Sequence, residues 1–401
     1  MKLEHANLFR ASWVSKATQA FSRRNFTIAA GAALLAGCQV VPNTGPVSTG
    51  PIDEPTPEPS ATALPTDPTR HRVALLVPMS GNASDVGQSL ANATTMALLD
   101  TNADNLRITT YDTSRGAGDA AREAIADGNQ LILGPLLAAN VPAVQAAARP
   151  AGVPSIAFSN DASVASADVF VMGHIPEQSI RRSIEYARAN GSNSFGALLP
   201  DGTYGDRSMS ALDNALRDFG GTLVASERYD RGNTSIVSAA QRLRAGGGYD
   251  TVLIGDSARL AIQAAGEVKR DGAEGTRILG TELWSGESAL TRSRSINGAI
   301  FSAVSDRRFV RFSESYEARF GGKPFRIATL GYDSVLLTLR IARDWEIGDR
   351  FPTSALYDSG GFLGVDGPFR FNRGGIAERA LEVREVRNGE VIAVDAAPTG
   401  F

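Results

Sequence analysis

Apolar residues along this chain follow two rhythms that take turns. Residues 72–78 (Arg72-Val73-Ala74-Leu75-Leu76-Val77-Pro78) carry an unbroken apolar run with β-branched members, the mark of a strand buried on both faces. Residues 85–99 then place Val86, Leu90, Ala93 and Ala97 at helical spacing. The two rhythms repeat, with strands over 106–111, 130–133 and 153–157 and helices over 117–126 and 141–148. A second series begins near Val169, where Pro176 and Glu177 open a helix with proline in the first turn and an acid behind it. Strands over 195–199, 222–228, 250–254, 277–279 and 299–303 alternate there with helices over 207–219, 234–245 and 258–269. Helices over 309–320 and 327–343 follow, then short strand-like runs at 369–371, 381–386 and 391–394. Strand–helix alternation of this kind predicts an α/β fold with parallel sheets and right-handed crossovers. About 330 residues of it exceed what one core usually holds. The expectation is two doubly wound lobes joined by several crossovers. Residues 72–172 plus 288–345 form lobe 1, and 173–287 plus 346–401 form lobe 2.

Ahead of this body the pattern changes. The apolar segment 26–36 is too short to span a bilayer, which takes roughly 20 residues. A basic front, a short apolar middle and small residues at the cut give 1–37 the layout of a signal peptide. Ser22-Arg23-Arg24-Asn25-Phe26 resembles the twin-arginine export motif, although Thr27 and Ile28 stand where that motif has an apolar residue and a lysine. Leu35-Ala36-Gly37-Cys38 resembles a lipobox, and Cys38 is the only cysteine in the chain. Cys38 is therefore the expected lipidation site, and the folded body is expected on the periplasmic side of the cell envelope. Residues 38–71 read as a linker, with eight prolines from Pro42 to Pro68 among Thr, Ser, Asp and Glu and no apolar face to bury. Fully stretched at roughly 3 Å per residue, it reaches on the order of 90 Å.

Charge and the scarce reactive residues narrow the function classes. The formal net charge is −3, with acids and bases interspersed, which suits nucleic acid poorly because that affinity rests on basic clusters. The three histidines, His5, His71 and His174, have no metal-site spacing, and no cysteine stands near them. Gly255-Asp256-Ser257-Ala258 looks superficially like an esterase motif, but no histidine follows residue 174 to activate the serine. A strand end with a Ser/Asp helix cap explains it better. The glycines between Gly360 and Gly367 lack a Walker lysine and a strand-to-helix setting, so a turn before a strand is expected. No catalytic constellation, metal site or cofactor site is expected, and the chain is read as a non-enzyme.

In open α/β sheets the ligand crevice lies at the carboxyl ends of the strands. Here those ends carry Met79, Ser80, Leu136, Leu137, Ser159, Asp161, Tyr204, Asp256, Glu282 and Trp284. These ten residues are the candidate interlobe crevice, with Ser159 and Asp161 as turn caps and Trp284 as a hinge cover in the plainer reading.

Residues 72 to about 395 resemble the type I periplasmic-binding-protein fold, the class of the branched-chain amino-acid receptors of ABC importers. Several segments are similar to a narrower family, the envelope lipoproteins that activate penicillin-binding proteins. They are Gly134-Pro135-Leu136-Leu137-Ala138-Ala139-Asn140-Val141, Ile175-Pro176-Glu177 and Tyr204-Gly205-Asp206-Arg207, and in the tail Gly361, Gly364, Gly367, Phe369-Arg370-Phe371, Arg379 and Gly389. This resemblance implies a non-catalytic lipoprotein regulating peptidoglycan synthesis by contact with a bifunctional penicillin-binding protein. It also implies the outer membrane, since Gln39 follows the lipidated cysteine. The well-studied activators carry a helical-repeat domain that has no counterpart in this sequence. The wider resemblance implies instead a receptor for an amino acid or another small polar ligand. Toward that reading Glu282 stands where such receptors place the acid for the ligand ammonium. Leu136-Leu137-Ala138-Ala139 offers no hydroxyl to a ligand carboxylate, and Asp161 replaces a threonine and would repel it by about 1 to 4 kcal/mol at contact.

Overall fold

The computed structural model describes residues 67–399. Cys38, Arg23 and Arg24, with the signal and most of the linker, lie outside the described residues.

The first sheet is built from β1 (His71–Val77), β2 (Leu106–Asp112), β3 (Leu131–Leu133), β4 (Ser155–Ala157) and β5 (Val169–Val171), all parallel, in the order β2-β1-β3-β4-β5. Helices α1 (Ser84–Thr101), α2 (Ala117–Ala126) and α3 (Val141–Ala148) connect them. Both faces of the sheet are covered: Val73, Leu75 and Val77 enter one apolar cluster, Ala74 and Leu76 another. That is why the strands read as continuous apolar runs.

The chain then crosses to α4 (Pro176–Ala189) and a second sheet. Its parallel strands are β6 (Ser194–Pro200), β7 (Thr222–Tyr229), β8 (Thr251–Ile254), β9 (Arg277–Leu279) and β10 (Ile300–Ala303), and α5 (Thr203–Phe219), α6 (Ser235–Gly246) and α7 (Ala258–Val268) link them. From β10 the chain returns to the first lobe as α8 (Arg307–Phe320) and α9 (Thr329–Ile341); Phe312 and Tyr316 pack with Ala93 and Met96 of α1. A small antiparallel sheet follows, β11 (Phe362–Gly364), β12 (Gly367–Phe371) and β13 (Ala377–Arg379). A third crossing delivers β14 (Glu382–Arg387) and β15 (Glu390–Asp395), which close the second sheet antiparallel in the order β15-β14-β10-β9-β8-β6-β7. The α/β class and the two parallel-sheet lobes agree with the sequence pattern.

The division of the chain between the lobes differs from the expected one at two places. Residues 288–345 were expected in lobe 1, but β10 pairs with β9 and β14 and so belongs to the second sheet. Residues 346–401 were expected in lobe 2, but Phe351, Leu356, Phe362, Phe369 and Phe371 are buried in the first lobe's core. The cause is aromatic burial: Phe371 meets Phe170 of β5 edge-on at 5.7 Å between centroids. The Gly375 carbonyl also accepts from the Val171 amide at 2.8 Å, which extends the first sheet past β5.

One packing device appears in both lobes. The Cβ of any other residue at Gly87 in α1 would lie 1.7 Å from the carbonyl oxygen of Pro78. At Gly205 in α5 it would lie 1.8 Å from that of Pro200. Each glycine lets its helix settle onto the end of the preceding strand.

Candidate functional site

The loops that follow the strands meet between the lobes, and the side chain that spans the gap is Arg207. It lies in the second turn of α5, and its Nε and Nη2 donate to the two oxygens of Glu177 at 2.7 and 2.6 Å. Nη2 also donates to the Asn160 carbonyl at 2.7 Å, and Nη1 lies 3.6 Å from Asp161. Asn160 and Asp161 follow β4 in the first lobe, whereas Glu177 and Arg207 belong to the second. The fork geometry suits a carboxylate on one side and a carbonyl on the other. Burial would lower the Arg207 pKa, but Glu177 and Asp161 hold it above the usual arginine value.

Glu282 lies beside this bridge in the turn after β9. Its Oε1 accepts from the Tyr204 hydroxyl at 3.1 Å, which also reaches Thr281 at 3.0 Å, while its Oε2 is buried without a hydrogen-bond partner. Burial pushes the Glu282 carboxyl up to about 7, with nearby Glu177 adding to the rise and its own backbone amide, Tyr204 and Arg207 opposing it. Burial and the Glu282 charge likewise push the Tyr204 phenol well above its ordinary value. The Arg231 guanidinium lies over the Tyr204 ring, 5.1 Å from its centroid.

The remaining candidates divide. Ser159 and Asp161 cap their turn: the Ser159 hydroxyl accepts from the Asp161 amide, and Asp161 accepts from the amide and hydroxyl of Ser163. Met79 and Ser80 are committed to Asp112, which accepts from the Met79 amide at 2.8 Å and the Ser80 hydroxyl at 2.9 Å. Burial would raise Asp112, but those bonds and the Ser114 amide hold it down at about 2. Leu136 packs against the first lobe's core, and Leu137 is exposed. Asp256 and Trp284 stand apart from the crevice as side chains. Asp256 is buried, accepting from the Tyr229 hydroxyl at 2.5 Å and Arg231 Nε at 2.7 Å. Trp284 is fully buried against Phe301 in the second lobe, its indole donating to the Asp256 carbonyl at 2.9 Å. It is a core residue, because an indole this size releases more by full burial than as a hinge cover. Ser257 occupies the cap position of α7, but its hydroxyl makes no capping bond.

Sequence reasoning did not single out Glu177 or Arg207 as site residues. Glu177 reads as a first-turn acid matched to the helix dipole, and Arg207 as the start of a helix; only the fold brings them together. It also missed a buried ionic cluster where the crossovers run side by side. Asp366 accepts from His174 Nε2 at 2.8 Å, Arg326 Nη1 at 2.6 Å and the Thr329 hydroxyl at 2.9 Å. Burial alone would raise Asp366, but Arg326, His174 and Arg379 hold it well below the usual carboxylate range. Its neighbour Asp333 accepts from the Val365 and Asp366 amides, and burial together with the Asp366 charge pushes it upward. Those amides belong to the two-residue turn between β11 and β12, the turn expected from the tail glycines. Among the described residues no group of His, Cys, Asp and Glu is arranged to hold a metal ion. No described helix is long and apolar enough to cross a membrane.

Residues 71–390 match the family described as periplasmic binding protein. An uncharacterized protein of Rickettsia prowazekii (strain Madrid E) is 27% identical over 173 residues, 43% of this chain and 46% of that protein, so the match spans about half of the curated relative. Among solved structures, a putative branched-chain amino acid ABC transporter protein from Rhodospirillum rubrum superposes with a TM-score of 0.71 at 19% identity, covering 81% of this chain and all (100%) of the other. A leucine binding protein from Thermotoga maritima MSB8 gives 0.63 at 20% identity, covering 82% and 98%. A solute binding protein from R. palustris, solved with benzoate, gives 0.64 at 16% identity, covering 83% and 97%. With its two parallel-sheet lobes and four-fifths of its length within the match, the chain belongs to the periplasmic binding protein family.

Proposed function

We propose that this protein is a non-catalytic, lipid-anchored envelope protein that regulates peptidoglycan synthesis by surface contact with a bifunctional penicillin-binding protein. The observation that carries the reading is Arg207. The place where a two-lobed receptor closes on a solute is bridged by the chain's own guanidinium, bonded to Glu177 on one side and to Asn160 on the other. A lobe pair latched by its own side chains serves as a rigid body that presents its outer surface. Cys38 would tether that body, and the proline-rich linker would let it reach a partner anchored elsewhere. Photo-crosslinkers on exposed positions such as Leu137 and Leu363, followed by capture from envelope extracts, test this. The expected product is a band that fluorescent penicillin labels; recovery of importer permeases instead overturns it.

A second reading, a solute receptor of an ABC importer, is favoured by Glu282 and Tyr204 at the crevice and by the ligands of structurally similar proteins, isoleucine and benzoate among them. A ligand at 100 times its dissociation constant stabilises by about 2.7 kcal/mol. A thermal-shift screen over amino acids, short peptides and benzoates checks it: a saturable shift abolished by Glu282→Ala supports the receptor, and a flat screen supports the latched body.

A further inference from the structure

Charges on α8 run against the grain of a helix. The N-terminal end of a helix dipole is positive and the C-terminal end negative, so acids suit the first turn and bases the last. In α8 the first turn holds Arg307 and Arg308 and no acid, Arg311 follows, and Glu314 and Glu317 lie toward the C-terminus. Asp306 at the N-cap makes no capping bond and is committed to Arg384 and Arg326. Arg307 and Arg311 are like charges at i and i+4, and Arg311 precedes Glu314, the less favourable order. Phe312 and Tyr316 bury the opposite face of α8 against α1. The outward face carries Arg307, Arg311, Glu314 and Ala318 as one stripe, with Val310 beside it, and all five are exposed. Their i, i+4, i+7, i+11 spacing is that of a seam between paired helices. Among the described residues Arg307, Arg311, Glu314 and Glu317 form no ion pair, whereas Arg319 in the last turn pairs with Asp100 of α1.

We propose that two copies of this chain pair through α8, antiparallel about a two-fold axis that passes between Arg311 and Glu314. The stripe is positive in its first half and negative in its second, so the surface that complements it is the same stripe turned end for end. Arg311 of each copy then faces Glu314 of the other, and Arg307 comes to the turn holding Glu317 and Ala318. Val310 and Ala318 supply the apolar contact. Antiparallel pairing also sets the arginine end of each helix beside the negative end of the other dipole. A partner of one sign would be repelled by half of the stripe. Ten residues of α8 are exposed, fewer than the roughly 20 to 30 a side of a standard interface, so a weak dimer dissociating at on the order of tens of micromolar is expected. Such pairing is independent of the partner or ligand proposed above.

Sedimentation velocity tests this on the full chain purified with Cys38→Ser, so that no lipid anchor can drive association. That parent should move from monomer toward dimer as its concentration rises to about 100 µM at low salt, and less so at high salt. Arg311→Glu and Glu314→Arg each place like charges at both contacts and should weaken association at least about tenfold. Mixed in equal amounts, the two folded variants should associate again, because the mixed pair has opposite charges at both contacts. The double variant Arg311→Glu with Glu314→Arg should associate as the parent does. A parent that stays monomeric at low salt, or single variants that associate as it does, overturns the proposal. So does a double variant that stays monomeric while keeping the parent's circular dichroism.

Discussion

The two lobes bring the same framework to the crevice and put different chemistry on it. In each, a proline stands at the end of a strand, Pro78 just after β1 and Pro200 as the last residue of β6, and the next helix rests a glycine on that proline's carbonyl, Gly87 on Pro78 and Gly205 on Pro200. Two residues further along the helices the lobes part. In α1 the position is Ser89, buried, its hydroxyl accepting from the Phe325 amide of its own lobe. In α5 it is Arg207, which crosses to the Asn160 carbonyl of the other lobe. The first lobe contributes little more than carbonyls, turn caps and leucines, whereas the second contributes Glu177, Tyr204, Arg207 and Glu282. Close packing is a shared requirement of the fold, and the bridging chemistry belongs to one half.

The framework should be equally fragile on both sides. Gly87→Ala and Gly205→Ala each place a methyl inside a backbone carbonyl, which can be relieved only by moving a helix, so each should cost about 3 kcal/mol. Denaturant unfolding of the two variants checks this. If either keeps the parent midpoint, the correspondence between the two helices fails.

The bridge should break on one side only. Arg207→Met removes the fork from Glu177 and the bond to Asn160, and leaves Glu177, Asp161 and Glu282 facing one another without a cation. The side chains are partly exposed, 15% for Arg207 and 36% for Glu177, so the expected loss is about 2 kcal/mol rather than the full cost of a buried pair. Scattering should show a larger radius of gyration as the lobes separate. Ser89→Ala, at the matching position, should leave that radius unchanged.

Most of the framework was legible in the sequence, because buried parallel strands and amphipathic helices write their burial directly into the order of residues. The runs 106–111 and 117–126 map onto β2 and α2 almost residue for residue. The lobe assignment of β10 and of the β11–β13 sheet was not legible, since an apolar strand does not state which sheet it joins. The site was legible by position and less so by role. Strand ends pointed to Tyr204, Asp161 and Glu282, which the fold gathers around Arg207, but Asp256 and Trp284 satisfy the same rule and are buried elsewhere. Glu177 reads as a helix-opening acid and Arg379 as part of a tail motif, and neither they nor Arg326 and Asp366 read as site residues, because charged residues are usually solvated. Only the convergence of three crossings makes a buried cluster of Arg326, Asp366 and Arg379.

Glu282 sharpens the comparison through pH. Its folded pKa, about 7, lies above the ordinary value of 4.5, so between those values the folded protein holds a proton that the unfolded chain has released. Stability linked to this group is therefore greatest at acid pH and is lost as pH rises toward about 7. Glu282→Gln should flatten that part of the profile and gain on the parent as pH rises from about 5 to about 8, measured by denaturant midpoints. A gap between the two proteins that does not change with pH would mean the native state holds no such proton.

The smallest effect is expected at Asp161, where the first lobe comes nearest to answering the second. It lies 3.6 Å from Arg207 Nη1, too far for a hydrogen bond, and its oxygen is occupied by Ser163. Asp161→Thr keeps a hydroxyl able to accept from the Ser163 amide and should change stability by less than about 1 kcal/mol. The same substitution removes the first lobe's carboxylate from the crevice. If Arg207 is what closes the crevice, Asp161→Thr alone should create no response to amino acids in a thermal-shift screen, whereas a response would place the obstacle to solute at Asp161. The bridge is bonded to the Asn160 carbonyl, which no side-chain substitution removes, so the expected result is a silent screen and an unchanged radius.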